Sequence, residues 1–164
     1  MMDRLICTAL GLGYLRPASG TIASVVALVI GIAVHEAGAG WAIPTLAVLA
    51  TLAGFWAVPR MIATTADKDP SEIVIDEFAG QWLALSFTAL PLWSKDISML
   101  AAWPAYVAPF LLFRLFDIWK PWVIGRADRR GDATGVMLDD LLAGLAAGIV
   151  SVILAGVYHG IIAR

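Results

Sequence analysis

Five apolar runs, at residues 21–34, 43–58, 78–92, 100–116 and 136–158, are separated by short stretches carrying glycine, proline and charge. Runs of that length predict helices, and only the last comfortably exceeds the ~20 residues a helix needs to cross a bilayer. The first four must be extended by flanking polar turns, or some must enter and leave on the same side. The expected fold class is therefore all-α: a multi-helix integral membrane bundle with about four to five membrane-embedded helices, some re-entrant, in one domain over 1–164.

Composition explains why the surroundings are lipid. Apolar residues make up 60% of the chain and charged residues 15%, against roughly 45 to 50% apolar in soluble domains, and the mean hydropathy is +0.84. Six of the seven tryptophans (Trp41, Trp56, Trp93, Trp103, Trp119 and Trp122) fall at or near the ends of the runs. That is the placement of an interfacial aromatic belt. The N-terminal stretch before the Gly-Pro loop is too short for a signal peptide.

Charge placement orients the bundle. If each run crosses once, the N-terminus, 59–77 and 114–135 share one face, with nine of the eleven Lys and Arg residues; Lys95 and Arg164 lie on the other. Nine against two puts the first face in the cytoplasm, although a re-entrant hairpin over 21–58 gives the same result. Eleven of thirteen carboxylates sort to that same face or its helix ends, leaving Glu36 and Asp96 outside. The chemistry is expected on the cytoplasmic side.

Several chemistries are excluded. Cys7 is the only cysteine, and a cysteine phosphatase needs arginine six positions later, where Gly13 stands. His35 and His159 both sort to the face away from the carboxylates, and no Gly-Lys-Ser/Thr phosphate loop occurs. Asp67-Lys-Asp69-Pro-Ser71 superficially matches an aspartyl-phosphatase loop but lacks the preceding strand. What remains is carboxylate-held metal chemistry, for which Mg²⁺ prefers hard oxygen ligands together with substrate phosphate oxygens.

Three segments supply carboxylates. In the first, Asp76 and Glu77 stand side by side at the head of an apolar run, where desolvating either alone costs several kcal/mol. With a helix beginning near Ser71, Glu72 and Asp76 would share a face, with Asp69 as a cap. The plain alternative is an acidic helix start complementing the dipole. In the second, Arg114, Asp117 and Lys120 recur every three residues. They form either an ion-pair ladder or a metal ligand flanked by two phosphate-binding cations. In the third, Asp139 and Asp140 enter the long last run, and dipole capping accounts for one of the two. Beyond them, Gly144 and Gly148 offer a small-residue packing face.

A fourth segment, Gly11-Leu-Gly-Tyr-Leu-Arg-Pro-Ala-Ser-Gly20-Thr21-Ile-Ala-Ser24, leads into the first long helix. Its amides and dipole favour phosphate, though a serine or threonine there is usually just a cap.

In order along the chain, this Gly-Thr loop, Asp69-Pro-Ser-Glu-Ile-Val-Ile-Asp-Glu-Phe-Ala-Gly80, Phe113-Arg-Leu-Phe-Asp-Ile-Trp-Lys-Pro-Trp122 and Gly135-Val-Met-Leu-Asp-Asp-Leu-Leu-Ala-Gly144 resemble the phosphatidylglycerophosphatase A family. Ser19 and Ala23 replace the proline and glycine usual in that family's first loop. The resemblance implies Mg²⁺-dependent hydrolysis of phosphatidylglycerophosphate to phosphatidylglycerol at a bacterial inner membrane. It implies Asp76, Glu77, Asp117, Asp139 and Asp140 as catalytic metal ligands, with Glu72 as a further candidate. Gly20, Thr21, Ser24, Arg114 and Lys120 would bind the phosphate, and burial of the acidic pairs should be partial. The nucleophile is then water, or a carboxylate forming an acyl phosphate. Implied partners are the phospholipid substrate and membrane lipids, not nucleic acid; the oligomeric state is left open. A cation-coupled transporter, a membrane scaffold and a CDP-alcohol phosphotransferase are the alternatives. The transporter should show midplane carboxylates and a repeat, and the transferase a longer Asp-Gly-x-x-Ala-Arg pattern.

Overall fold

Helices occupy each apolar run in the computed structural model, which describes residues 1–65 and 70–162. Asp67, Lys68, Asp69 and Arg164, which entered the readings above, lie outside the described residues. A short α1 (Met2–Cys7) is followed by five long helices and one short one: α2 (Ser19–Val34), α3 (Ala42–Ile62), α4 (Ile75–Trp93), α5 (Pro104–Trp119), the short α6 (Trp122–Asp128) and α7 (Ala133–Val157). Among the described residues no strand occurs. The two short helices are the elements that hydropathy did not signal.

Local chemistry sets the boundaries. Pro104 opens α5, where its missing N–H costs nothing. Lys120 closes it in the left-handed region at φ 49°. Asp132 caps α7, its side chain accepting from Gly135 N at 2.7 Å. Before α4, Pro70 to Ile73 form a turn and Val74 N donates to Cys7 O at 2.8 Å, so the helix starts at Ile75. The condition for a shared face, a start near Ser71, is not met. Glu72 is therefore in the turn and does not share a helical face with Asp76.

Among the described residues, three segments are long and apolar enough to cross a bilayer, Ser19–Ala39, Ala42–Ile62 and Ala133–Gly160. Polar flanking turns do extend the first two runs, as their length required. The six run-end tryptophans are all exposed, whereas Trp82 is buried and donates Nε1 to Ala27 O at 2.8 Å. Side chains such as Val29, Leu52 and Ile153 also point outward. In a bilayer these outward faces meet lipid, so exposing them carries no hydrophobic penalty.

The central helix is α4, which packs against α2, α3, α5 and α7. Its tightest crossing is with α7: a Cβ on Gly144 would lie 2.3 Å from Gly80 O, and one on Gly80 would lie 2.6 Å from Asp140 O. Gly148 meets the Phe87 ring in the same way. Small residues let the two backbones touch, and that contact carries the first turns of α7 up against the first turns of α4. The helix starts of α2, α4 and α7 and the end of α5 thus gather at one end of the bundle.

Candidate active site

Adjacent helical residues diverge by about 100°, so Asp76 and Glu77 serve different neighbours. Asp76 accepts from Glu77 N at 2.9 Å and lies on the side of Cys7. Burial and then the Asp76 charge push the Cys7 thiol up to about 11, leaving it a protonated core residue without nucleophilic character. Glu77 faces α2 and α5. Its Oε2 accepts from Ser24 Oγ at 2.6 Å and pairs with Arg114 Nη1 at 2.5 Å. Arg114 Nη1 also meets Asp117 Oδ2 at 3.0 Å and Ser24 Oγ at 3.2 Å. Gly20 has to be glycine here, because a Cβ would lie 2.2 Å from Glu77 Oε1. The carboxylate of Glu77 itself thus lies against the first turn of α2, the place where the sequence suggested a phosphate.

The second half of the site lies around α7. Asp117, Asp139 and Asp140 each offer a carboxylate oxygen within 4.8 Å of the others. Among the described residues this is the group of acidic side chains close enough to share a cation. Asp139 Oδ2 is held by Lys120 Nζ at 2.8 Å, while Asp139 Oδ1 is buried and has no hydrogen-bond partner among the described residues. A buried carboxylate oxygen left unpaired is costly, and a divalent ion bound by the three aspartates would satisfy it. The donor set therefore fits a hard cation such as Mg²⁺. Glu77, Asp76, Asp117 and Asp139 all bear electrostatically on Asp140.

Lys120 departs from the expected helical stripe. Only Arg114 and Asp117 form the i, i+3 pair; the left-handed turn at the end of α5 swings Lys120 over to Asp128 and Asp139. Burial alone would depress its ammonium, but hydrogen bonds and charge from those two carboxylates outweigh it and hold the group above the ordinary lysine range.

Burial is deeper than the partial burial expected: Asp76, Glu77, Asp139 and Asp140 are 9%, 8%, 6% and 4% exposed. Asp117 has a similarly covered side chain. Thr21 is exposed and Glu72 half-buried. Neither belongs to the acidic group. Two neighbours escaped the sequence reading. Asp128 carries no motif signal beyond its charge. Gln81 did carry one, as the chain's only glutamine, without any asparagine, placed four residues after Glu77 inside an apolar run.

The family model described as Phosphatidylglycerophosphatase A matches residues 5–155. A Bacteroides thetaiotaomicron protein named "Putative phosphatidylinositol-3-phosphatase" is 37% identical over 146 residues, 86% of each chain. The Phosphatidylglycerophosphatase A of Haemophilus influenzae is 31% identical over 147 residues, 89% of this chain and 84% of that one. Its Escherichia coli K12 namesake is 42% identical over 84 residues, 50% of this chain and 43% of that one. No solved structure gives a significant match. With a family match running from α1 almost to the end of α7, and relatives similar over most of their length, the chain belongs to the phosphatidylglycerophosphatase A family.

Proposed function

We propose that this membrane protein hydrolyses the phosphomonoester of phosphatidylglycerophosphate, yielding phosphatidylglycerol and phosphate, at the cytoplasmic face of a bacterial inner membrane. The observation that carries the reading is the convergence of Asp117, Asp139 and Asp140, with Asp139 Oδ1 buried and unpaired. Nine of eleven cationic residues sort to the site's end of the chain topology, which favours the cytoplasmic assignment.

The three aspartates are read as the ligands of Mg²⁺, which when bound polarises phosphoryl oxygens and acidifies a water. The protein's own groups then do the positioning. Arg114 has five donors and spends Nη1 on Glu77, Asp117 and Ser24, so its Nη2 can meet the phosphomonoester. Lys120 spends two of its three donors on Asp128 and Asp139, leaving one. Glu77 and Ser24 fix the Arg114 guanidinium so that little reorganisation accompanies charge transfer to the leaving oxygen. The attacking group is read as water positioned by the acidic cluster. Trapping a phosphorylated carboxylate, together with single turnover in heavy-oxygen water, separates this from a carboxylate nucleophile. Direct attack puts the label in phosphate, and an acyl phosphate puts its first-turnover label in phosphate only if that intermediate breaks at phosphorus.

The name of the Bacteroides relative points to a second substrate with the same bond, a phosphomonoester on a headgroup joined through a phosphodiester to diacylglycerol. Phosphate release by purified protein in mixed micelles, from phosphatidylglycerophosphate and from phosphatidylinositol 3-phosphate, with Mg²⁺ and with EDTA, tests both. Turnover of phosphatidylglycerophosphate that vanishes in EDTA is expected. No turnover of it under either condition would overturn the reading.

A further inference from the structure

Gln81 is the chain's only side-chain amide, and it is completely buried with neither Nε2 nor Oε1 hydrogen-bonded among the described residues. It lies one helical turn from Glu77 on the same face of α4, about 6 Å further from the bundle end that holds the acidic cluster. Glu77, on that face, is bonded to Ser24 of α2 and Arg114 of α5, so Gln81 stands one turn below that ion pair. Arg114, whose Nη1 grips Glu77, leaves its own Nε buried and unpaired.

Burying an unpaired amide and an unpaired guanidinium N–H is costly, because each has given up its water without gaining a partner. In apolar surroundings such groups persist where a ligand completes them. Both carry N–H donors suited to an anion, and Gln81 Oε1 adds an acceptor suited to a hydroxyl. Resting on the phosphatase reading above, we propose that Gln81 and Arg114 Nε form a headgroup subsite for the internal phosphodiester of the lipid substrate and the alcohol next to it. The phosphomonoester occupies the end by Asp117, Asp139 and Asp140, and the acyl chains lie deeper. A diester between the two must sit at the intermediate depth where Gln81 stands. Gln81 would then be a specificity residue, selecting lipids whose reactive phosphate is carried on a second, diester-linked headgroup.

The experiment compares wild type with Gln81→Leu and Gln81→Met, measuring kcat and KM for phosphatidylglycerophosphate. In the same micelles it measures binding of phosphatidylglycerol, which keeps the diester, and of diacylglycerol, which lacks it. The expected result is KM raised and phosphatidylglycerol binding weakened by about tenfold or more. In that result kcat stays within about threefold, diacylglycerol binding is unchanged, and the thermal midpoint is equal or higher because an unpaired polar group has gone. Wild-type KM and wild-type phosphatidylglycerol binding in either folded variant would overturn the subsite, as would equal losses for both lipids. If wild type turns over no lipid yet the variants selectively lose phosphatidylglycerol, the phosphatase reading fails and the subsite stands.

Discussion

Replacing Gly20 with alanine adds one methyl group and tests the geometry around Glu77. The new Cβ would lie 2.2 Å from Glu77 Oε1, whereas ordinary contact begins at 3.4 Å, so the carboxylate must withdraw by about 1.2 Å. A flexible side chain could retreat cheaply, but this one is held by Ser24 at 2.6 Å and Arg114 at 2.5 Å. Losing hydrogen bonds to a charged group costs about 1.5–3 kcal/mol each. The gain from alanine over glycine in a helix is only about 0.5–1 kcal/mol, so the clash wins. We expect a lower thermal midpoint in detergent. Because Glu77 fixes Arg114, and a 1 Å misplacement can cost about 10²-fold, phosphate release should fall by about that factor. Adding Glu77→Asp to Gly20→Ala shortens the acid by one methylene and should restore part of both losses. Gly156→Ala, with nothing within 4 Å of the new methyl, serves as the neutral control. A Gly20→Ala enzyme with wild-type rate and midpoint would refute the placement of Glu77.

Three other perturbations separate stability from activity. Asp140→Asn replaces a buried acid surrounded by other acids with a neutral amide, so it should not lower the thermal midpoint in EDTA while cutting phosphate release by at least about 10³-fold; an active variant would remove Asp140 from the site. Gly144→Ala sets a methyl 2.3 Å from the Gly80 carbonyl, a backbone atom that cannot turn away, and should destabilise by about 1–3 kcal/mol in detergent unfolding. For Lys120 the folded pKa is raised, so its ion pairs contribute fully below the ordinary lysine value of ~10.4 and are lost progressively as pH rises from there through the folded value. Wild type should therefore hold its midpoint up to about pH 10 and then decline, whereas Lys120→Met should start lower and lack that alkaline component.

Much of this arrangement is written in local pattern. Five apolar runs marked the five long helices, and the tryptophans marked their ends, because both follow from the length and polarity profile of a bilayer. Arg114 with Asp117 followed from helical spacing alone. The partnerships did not. Asp76 and Glu77 look like a pair on paper, yet the helix turns them towards different neighbours, and Glu77 finds Ser24 and Arg114 from helices more than thirty residues away. Lys120 seemed to continue the Arg114 stripe until its left-handed backbone redirected it, a feature more typical of glycine or asparagine and so unmarked by a lysine. Glu72 would have shared the face of Asp76 only with an earlier helix start, which the Pro70 turn delays. Each miss concerns which partner a side chain meets, a matter of tertiary packing that spacing does not encode.

The charge balance of the assembled site constrains how a substrate can bind. Among the described residues, Glu77, Asp117, Asp128, Asp139 and Asp140 gather around Arg114 and Lys120, which pair with the first four. If all five acids are ionised the site is strongly negative, and a phosphomonoester adds further negative charge. In a poorly hydrated setting that repulsion exceeds what the spare donors of two already engaged cations can offset. Divalent cation binding should therefore be a condition for substrate binding as well as for turnover. Affinity for a non-hydrolysable phosphonate analogue of the lipid should fall by at least about 10²-fold when Mg²⁺ is replaced by EDTA, roughly 2.7 kcal/mol. Asp140→Asn, with one charge fewer, should lose less on the same change. Equal affinity of the wild type in Mg²⁺ and EDTA would show that Arg114 and Lys120 suffice to hold the phosphate, and that the acidic cluster is largely protonated at rest.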